Sequence, residues 1–235
     1  MSKNAVARAR RAGYRWRMPS DIRIEPAGAD RWGDLERLFG ERGACGGCWC
    51  MWYRLPRAEY ERGTGAKTRS ALRRLVGAGE PVGVIAYAGR TPIGWCAVAP
   101  RSAFTRLETA RTLKPVDDRP VWSVVCLFVA RTHRRQGVSV QLLDGAAEYA
   151  RSLGAEVIEG YPVVPRAGTI PAVFAHPGTP AAFRAAGFRE VARPSAARKV
   201  MRRQLTDSSA RPRAAGASRP RTSGRPGRAR RRPQS

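Results

Sequence analysis

CLFVARTHRRQGVSVQLL, residues 126–143, changes character twice within one short stretch. Together with the residues before it, VWSVV, its opening is a nearly unbroken apolar run. A strand buried on both faces of a sheet has that composition. Its end places Leu142 ahead of Ala146, Ala150 and Leu153, the recurrence of a helix over 138–153 stopped by Gly154. Between strand and helix lies a basic elbow, Arg134-Arg135-Gln136-Gly137. The first turn of a helix carries N–H groups without intrahelical partners and the positive end of the helix dipole. A glycine there admits an anion close to the backbone, and flanking arginines add charge and donors. The elbow therefore suits a phosphate or pyrophosphate, although an ordinary basic loop would read the same locally. It is neither a Walker loop, which needs G-x-x-x-x-G-K-[ST], nor a dinucleotide fingerprint, which needs two further glycines.

Working outward, DIRIEP (Asp21–Pro26) alternates as a short first strand. ADRWGDLERLFGERG puts Trp32, Leu35, Leu38 and Phe39 on one helical face, with Gly43 as its stop. KTRSALRRLVGAG groups Leu72, Leu75 and Val76 on a second helix. VGVIAYAG and TPIGWCAVAPR predict a hairpin turning at Gly89-Arg90. Beyond the elbow helix, EVIEGYPV predicts a fifth strand closed by Pro162. TPAAFRAAGF predicts a short helix capped by Thr179, with a proline in its first turn and an end at Gly187. FREVAR and RKVMRRQL supply the last strands. The pattern is an α/β fold, a mixed sheet of about seven strands with helices on both faces, spanning 19–205.

The net charge of +26 suggests a polyanionic partner at first sight. Yet 40 of the 44 basic residues are arginine, a skew expected from a GC-rich genome. Six of those charges lie in Met1–Met18 and a net eight in Thr206–Ser235, leaving +12 for the middle. Both extensions, 1–18 and 206–235, are predicted to be disordered, because the tail has no apolar residue larger than alanine to offset its ordering entropy. A passive tail is the simplest reading; nonspecific nucleic-acid binding through phosphate contacts is the functional one. Met18, just before PSDIRIEP, is an alternative start. No secretory signal and no membrane span is read, so a cytoplasmic protein without a membrane partner is expected. CGGCWC holds Cys45, Cys48 and Cys50, half of a zinc pattern, but His133 and His176 lie far from it. Reduced thiols and no metal are expected, with Cys96 and Cys126 as small core residues.

Arg134-Arg135-Gln136-Gly137-Val138-Ser139 resembles the [QR]-x-x-G-x-[GA] pyrophosphate loop of GNAT-family acetyltransferases, with Ser139 standing where Gly or Ala is usual. In that family the loop follows the fourth strand and opens the third helix, as it does in this pattern. The late AAFRAAGF is similar to the family's helix-Gly-Phe signature, and CWCMWYR, GWCAVAPR and EGYPV are similar to a bacterial branch of it. The resemblance covers about residues 21–205. It implies a central sheet splayed between the fourth and fifth strands and an N-acetyltransferase using acetyl-CoA as co-substrate. The backbone of Leu127, Phe128 and Val129 would then pair with the pantetheine arm, and Arg134 to Ser139 would hold the pyrophosphate. It implies a small-molecule or peptide amine as acceptor, with Trp49 and Trp52 near it, and leaves a homodimer open.

Many family members carry a carboxylate on the fourth strand as base and a tyrosine four residues before the late glycine as acid. Here those positions read Val125-Cys126 and Phe183. Glu159 and Tyr161, two apart on the fifth strand and so on one face, are the next candidates for base and acid. Pairing of Glu159 with an arginine and simple packing of Tyr161 is the structural alternative. Glu108, Asp117 and Asp118 are fallback bases on a loop. An aromatic wall would suit a flat or apolar amine, or a cation held on a ring face. Two other classes stay open: a non-catalytic acyl-CoA-binding regulator, and an RNA- or ribosome-associated protein using its basic tail.

Overall fold

The computed structural model describes residues 22–165 and 176–205; both basic extensions, at 1–18 and 206–235, lie outside the described residues. Seven strands form one sheet: β1 Ile22–Pro26, β2 Gly83–Ala88, β3 Thr91–Pro100, β4 Trp122–Val129, β5 Val157–Gly160, β6 Arg189–Ser195 and β7 Arg198–Gln204. Their spatial order is β1-β2-β3-β4-β5-β7-β6. Every neighbouring pair is antiparallel except β4 and β5, which run parallel. That exception follows from the chain: β4 and β5 are joined by a crossover helix, whereas short turns join β2 to β3 and β6 to β7. The helices are α1 Trp32–Phe39, α2 Arg57–Glu61, α3 Ala66–Gly77, α4 Thr105–Thr109, α5 Val138–Ser152 and α6 Pro180–Ala185. The sheet separates two apolar cores, as the sequence pattern expects. Trp32, Leu35, Leu72 and Val76 of α1 and α3 fill one, and Leu142, Ala146 and Phe183 of α5 and α6 fill the other.

Four local differences carry physical lessons. Helix α1 stops at Gly40, whose φ of 64° lets its N–H close on Glu36, rather than at Gly43. Leu153 is not a core residue; it caps the end of α5 and is 52 % exposed. Helices α2 and α4 have five residues each, too short to show a periodic pattern. Strand β5 ends at Gly160, before Tyr161. There the ring of Phe183 packs directly on the backbone, and a Cβ would meet it at 2.1 Å. Thr179 caps α6 as its sequence predicts, its hydroxyl accepting from the Ala182 N–H at 3.3 Å.

Candidate active site

Strands β4 and β5 are paired at only three positions: Trp122 with Ile158, Ser123 with Glu159 and Val124 with Gly160. Beyond Val124, β4 continues to Val129 alone on that side, and the sheet opens. The opening coincides with a slip in the β3–β4 register, where Ala97 pairs with Cys126 but Val98 pairs with Val124, so Val125 has no partner of its own. Such a bulge re-aims the side chains that follow. Cys126 and Phe128 thereby pack toward the α1 core, Leu127 and Val129 toward the α5 core. The Ala130 N–H bonds to Ile93 on β3 at 2.9 Å. By alternation, Leu127 and Val129 turn their backbone polar groups into the opening. Leu127 donates to the carbonyl of His176 there at 2.6 Å. A cavity of about 630 Å³ occupies the splay, walled by Cys126–Val129, by Cys48, Cys50, Trp52 and Tyr53, and by Gly178, Thr179 and Ala182.

The basic elbow closes one end. Gly137 adopts φ 81° as the N-cap of α5, and its carbonyl accepts from Val140 and Gln141. The N–H groups of Val138 and Ser139 therefore precede the intrahelical ladder and face outward at the positive end of the helix. Arg135, two residues earlier, also has positive φ, 62°. Left-handed residues alternating with right-handed ones gather successive N–H groups into a concave anion nest. The Arg134 Nε donates to the Val129 carbonyl at 3.0 Å, and the Gln136 amide to Thr132 at 2.9 Å, so the elbow is pinned to the end of β4. Of the six expected loop residues, Arg134 and Ser139 reach the cavity wall, while Arg135 and Gln136 lie exposed on the rim. The positive φ of Arg135 has no sequence signal.

Glu159 and Tyr161 are elsewhere. They share one side, as their spacing predicts, but beneath the paired part of β4 and off the cavity wall. Glu159, 1 % exposed, accepts from the Arg202 Nε at 2.5 Å and lies 3.6 Å from Arg101. Arg202 also bonds to Asp117 at 2.7 Å, holding that carboxyl below its usual range. The Tyr161 hydroxyl accepts from Arg101 at 2.7 Å and shares a hydrogen bond with Ser123 at 2.9 Å. Burial pushes its phenol well up. Glu108 lies 3.2 Å from Arg101. Neither Glu108, Asp117 nor Asp118 lines the cavity.

The tryptophans divide as well. Trp52 lines the cavity, whereas Trp49 is buried between Trp32 and Phe39, with ring centroids 5.9 and 5.4 Å away. Trp49 and Cys50 are consecutive left-handed residues, φ 42° and 52°, in the turn that swings Cys50 toward β4. Cys50 receives the Trp95 indole N–H at 3.1 Å and donates to Cys126 at 3.5 Å. All five cysteines are free, and among the described residues no cluster is set to hold a metal. Cys96 is a core residue as expected, but Cys126 is a wall residue, because the bulge turns it to the opening. Tyr53, one of the large aromatics ahead of the elbow, is on the wall, and sequence reasoning passed over Tyr60 and His176, which are there too. Tyr53 follows Cys50 by three residues and Trp52 by one; His176 had no signal. Burial pushes the Tyr53 phenol up.

Residues 49–167 match the family model described as Acetyltransferase (GNAT) family. No curated protein matches the sequence. Solved structures similar to the chain include yncA from Salmonella typhimurium, solved with its cofactor acetyl-CoA, at 13 % identity over 81 % of this chain and 98 % of that one, TM-score 0.47. Arylalkylamine N-acetyltransferase 2 from Aedes aegypti is 14 % identical over 80 % of this chain and 100 % of its own, TM-score 0.47. Polyamine N-acetyltransferase from Drosophila melanogaster is 11 % identical over 78 % and 100 %, TM-score 0.45. Among the described residues, no helix is long and apolar enough to cross a membrane.

Proposed function

The chain belongs to the acetyltransferase (GNAT) family, whose co-substrate is acetyl-CoA, and from that premise we propose that it passes the acetyl group directly to a primary amine held in the splay. One observation carries this reading: the cavity runs without interruption from the elbow, along the outward-facing backbone of Leu127 and Val129, to the cysteine loop. A long, thin thioester with a diphosphate in its middle matches that shape and polarity. In this reading the N–H groups of Val138 and Ser139, with Arg134, take the diphosphate. The pantetheine amides pair along β4, and the thioester comes to rest beside Cys126. The amine enters from the side of Trp52 and Tyr53. Glu159 and Tyr161 act from outside the cavity, as the rigid floor that fixes where β4 and β5 part.

A second reading, an acyl-CoA-binding regulator without turnover, draws on one observation. The two positions that many relatives use for proton transfer are a thiol, Cys126, and a fully buried ring, Phe183. Release of CoA thiol in the presence of an amine separates the two readings. The nucleic-acid reading concerns a tail outside the described residues.

The test of the site is Gly137→Glu. A side chain at φ 81° is strained, and a carboxylate would face the diphosphate. Calorimetry should show acetyl-CoA affinity falling by about 100-fold or more, the size of one or two charge-assisted hydrogen bonds, while circular dichroism stays unchanged. Undiminished affinity in a folded variant would place the diphosphate elsewhere.

A further inference from the structure

We infer that the cavity admits its acceptor amine only in the uncharged form, so that the substrate class is a weakly basic amine on a flat apolar body, foremost an aromatic amine. This rests on the acetyltransferase reading and narrows it. The chain has 18 carboxylates, yet among the described residues none lies on the cavity wall. Residues 166–175, RAGTIPAVFA, contain none either. Of the acids that a base would be sought among, Glu159 and Asp117 are taken by Arg202 and Glu108 by Arg101, and Asp118 is off the wall.

The charged side chains nearest the cavity are mostly arginines; the acid that reaches Arg106, Glu61, is exposed and paired with Arg57. Arg134 is on the wall. The Arg106 guanidinium lies 3.6 Å over the ring of Trp52 and 5.6 Å from that of Tyr60, both wall residues. Arg106 and Arg198 both act electrostatically on Tyr53. The other titratable groups are the thiols of Cys45, Cys48, Cys50 and Cys126, the phenols of Tyr53 and Tyr60, and the imidazole of His176. Hydrogen bonding among the thiols pushes Cys48 and Cys50 up, and burial pushes both phenols up, so these four are neutral at pH 7. An ammonium ion entering this cavity would lose its hydration and find no anion among the described wall residues to replace it. Nor is the Trp52 ring open to it on the face that Arg106 covers. An amine of lysine-like basicity, pKa about 10.4, is neutral in only about one molecule in 2,500 at pH 7. A weakly basic amine arrives neutral, and the rings of Trp52, Tyr53, Tyr60 and Phe128 suit a flat body. Its nitrogen attacks the thioester carbonyl carbon. The C–N bond forms, the C–S bond breaks, and the proton shed by nitrogen passes to the departing sulfur, giving the acetamide and CoA thiol.

The isomers p-toluidine and benzylamine, equal in atoms and nearly equal in size, separate charge from shape. Steady-state thiol release by the full-length protein should give p-toluidine a KM roughly 100-fold below that of benzylamine at pH 7, matching the scarcity of neutral alkylamine. From pH 7 to 9 the benzylamine KM should fall about tenfold per pH unit, and the p-toluidine KM should stay flat. A benzylamine KM that is flat with pH, or below that of p-toluidine at pH 7, overturns the inference. So does a benzylamine kcat/KM that levels off near pH 6.5, which would make His176 the missing base. Acetyl-CoA binding by calorimetry keeps the two readings apart. Without binding, the acetyltransferase reading itself fails. With binding but no transfer to p-toluidine, only the substrate class falls.

Discussion

Strand β4 has two halves with opposite chemistry. In the paired half, Ser123 sits among Glu159, Tyr161, Arg101 and Arg202, a buried network that reaches the surface at Asp117, its opposite charges joined by short hydrogen bonds. In the open half, Cys126 to Val129 face thiols, aromatic rings and backbone, with no carboxylate on the wall among the described residues. The charged half is where the sheet is closed, and the half that opens is almost without fixed charge. The groups best equipped for proton transfer on paper are therefore spent on holding the strands together. What the open half offers a ligand is shape, backbone donors and a basic elbow.

This contrast breaks if the network proves dispensable. Arg202→Leu removes the partner of a carboxylate that is almost fully buried, and should destabilise by about 3–5 kcal/mol in urea unfolding. Cys126→Ala, in the open half, should cost about 1 kcal/mol or less, since one face of that side chain has cavity rather than protein against it. Similar midpoints for the two variants would erase the distinction. At the junction, Gly160→Ala presses a methyl group into the Phe183 ring and should cost about 1–3 kcal/mol, read in the same way.

A smaller effect depends on pH. Burial raises the Tyr161 phenol above its ordinary value, so the folded protein binds that proton more tightly than the unfolded chain. Its contribution is complete below about pH 10, the unfolded value, and is lost as pH rises toward the folded one. The gap in stability between the parent and Tyr161→Phe should therefore narrow above pH 10; a constant gap to pH 11 would mean the phenol is not held this way. The smallest perturbation is chemical. Cys126 is, with Cys48, one of the two half-buried thiols on the wall, and saturating acetyl-CoA should slow its alkylation by iodoacetamide, followed by mass spectrometry; an unchanged rate would place the thioester away from it.

What the sequence revealed tracks how local each feature is. The elbow was legible because strand, arginines, glycine and helix start follow one another within Cys126–Leu143, and the α6 cap because Thr179-Pro180 is self-contained. The sheet pattern was legible from periodicity. The pairing of Glu159 stayed open in the sequence because its partner Arg202 lies 43 residues on, one of forty arginines that no spacing rule singles out. Trp49 and Trp52 are three apart and look alike on paper, yet two left-handed residues at 49 and 50 send one into the core and the other to the wall. Cys126 reads as core because its strand is apolar on both faces, and only the unpaired Val125 turns it to the opening.

The splay also creates something that sheets ordinarily avoid, a strand edge in the middle of the molecule. An unpaired edge is a template on which a stray chain can add itself and start an aggregate. The His176 carbonyl blunts that edge by taking the Leu127 N–H, and the Arg134 side chain covers the Val129 carbonyl. What stays open is too short a run to seed another strand. A ligand that lies along β4 must take over the Leu127 bond, trading one neutral hydrogen bond for another, each worth about 0.5–1.5 kcal/mol. Little affinity comes from that trade, so in the proposed binding mode the strand sets the direction of the guest while the elbow sets how firmly it is held.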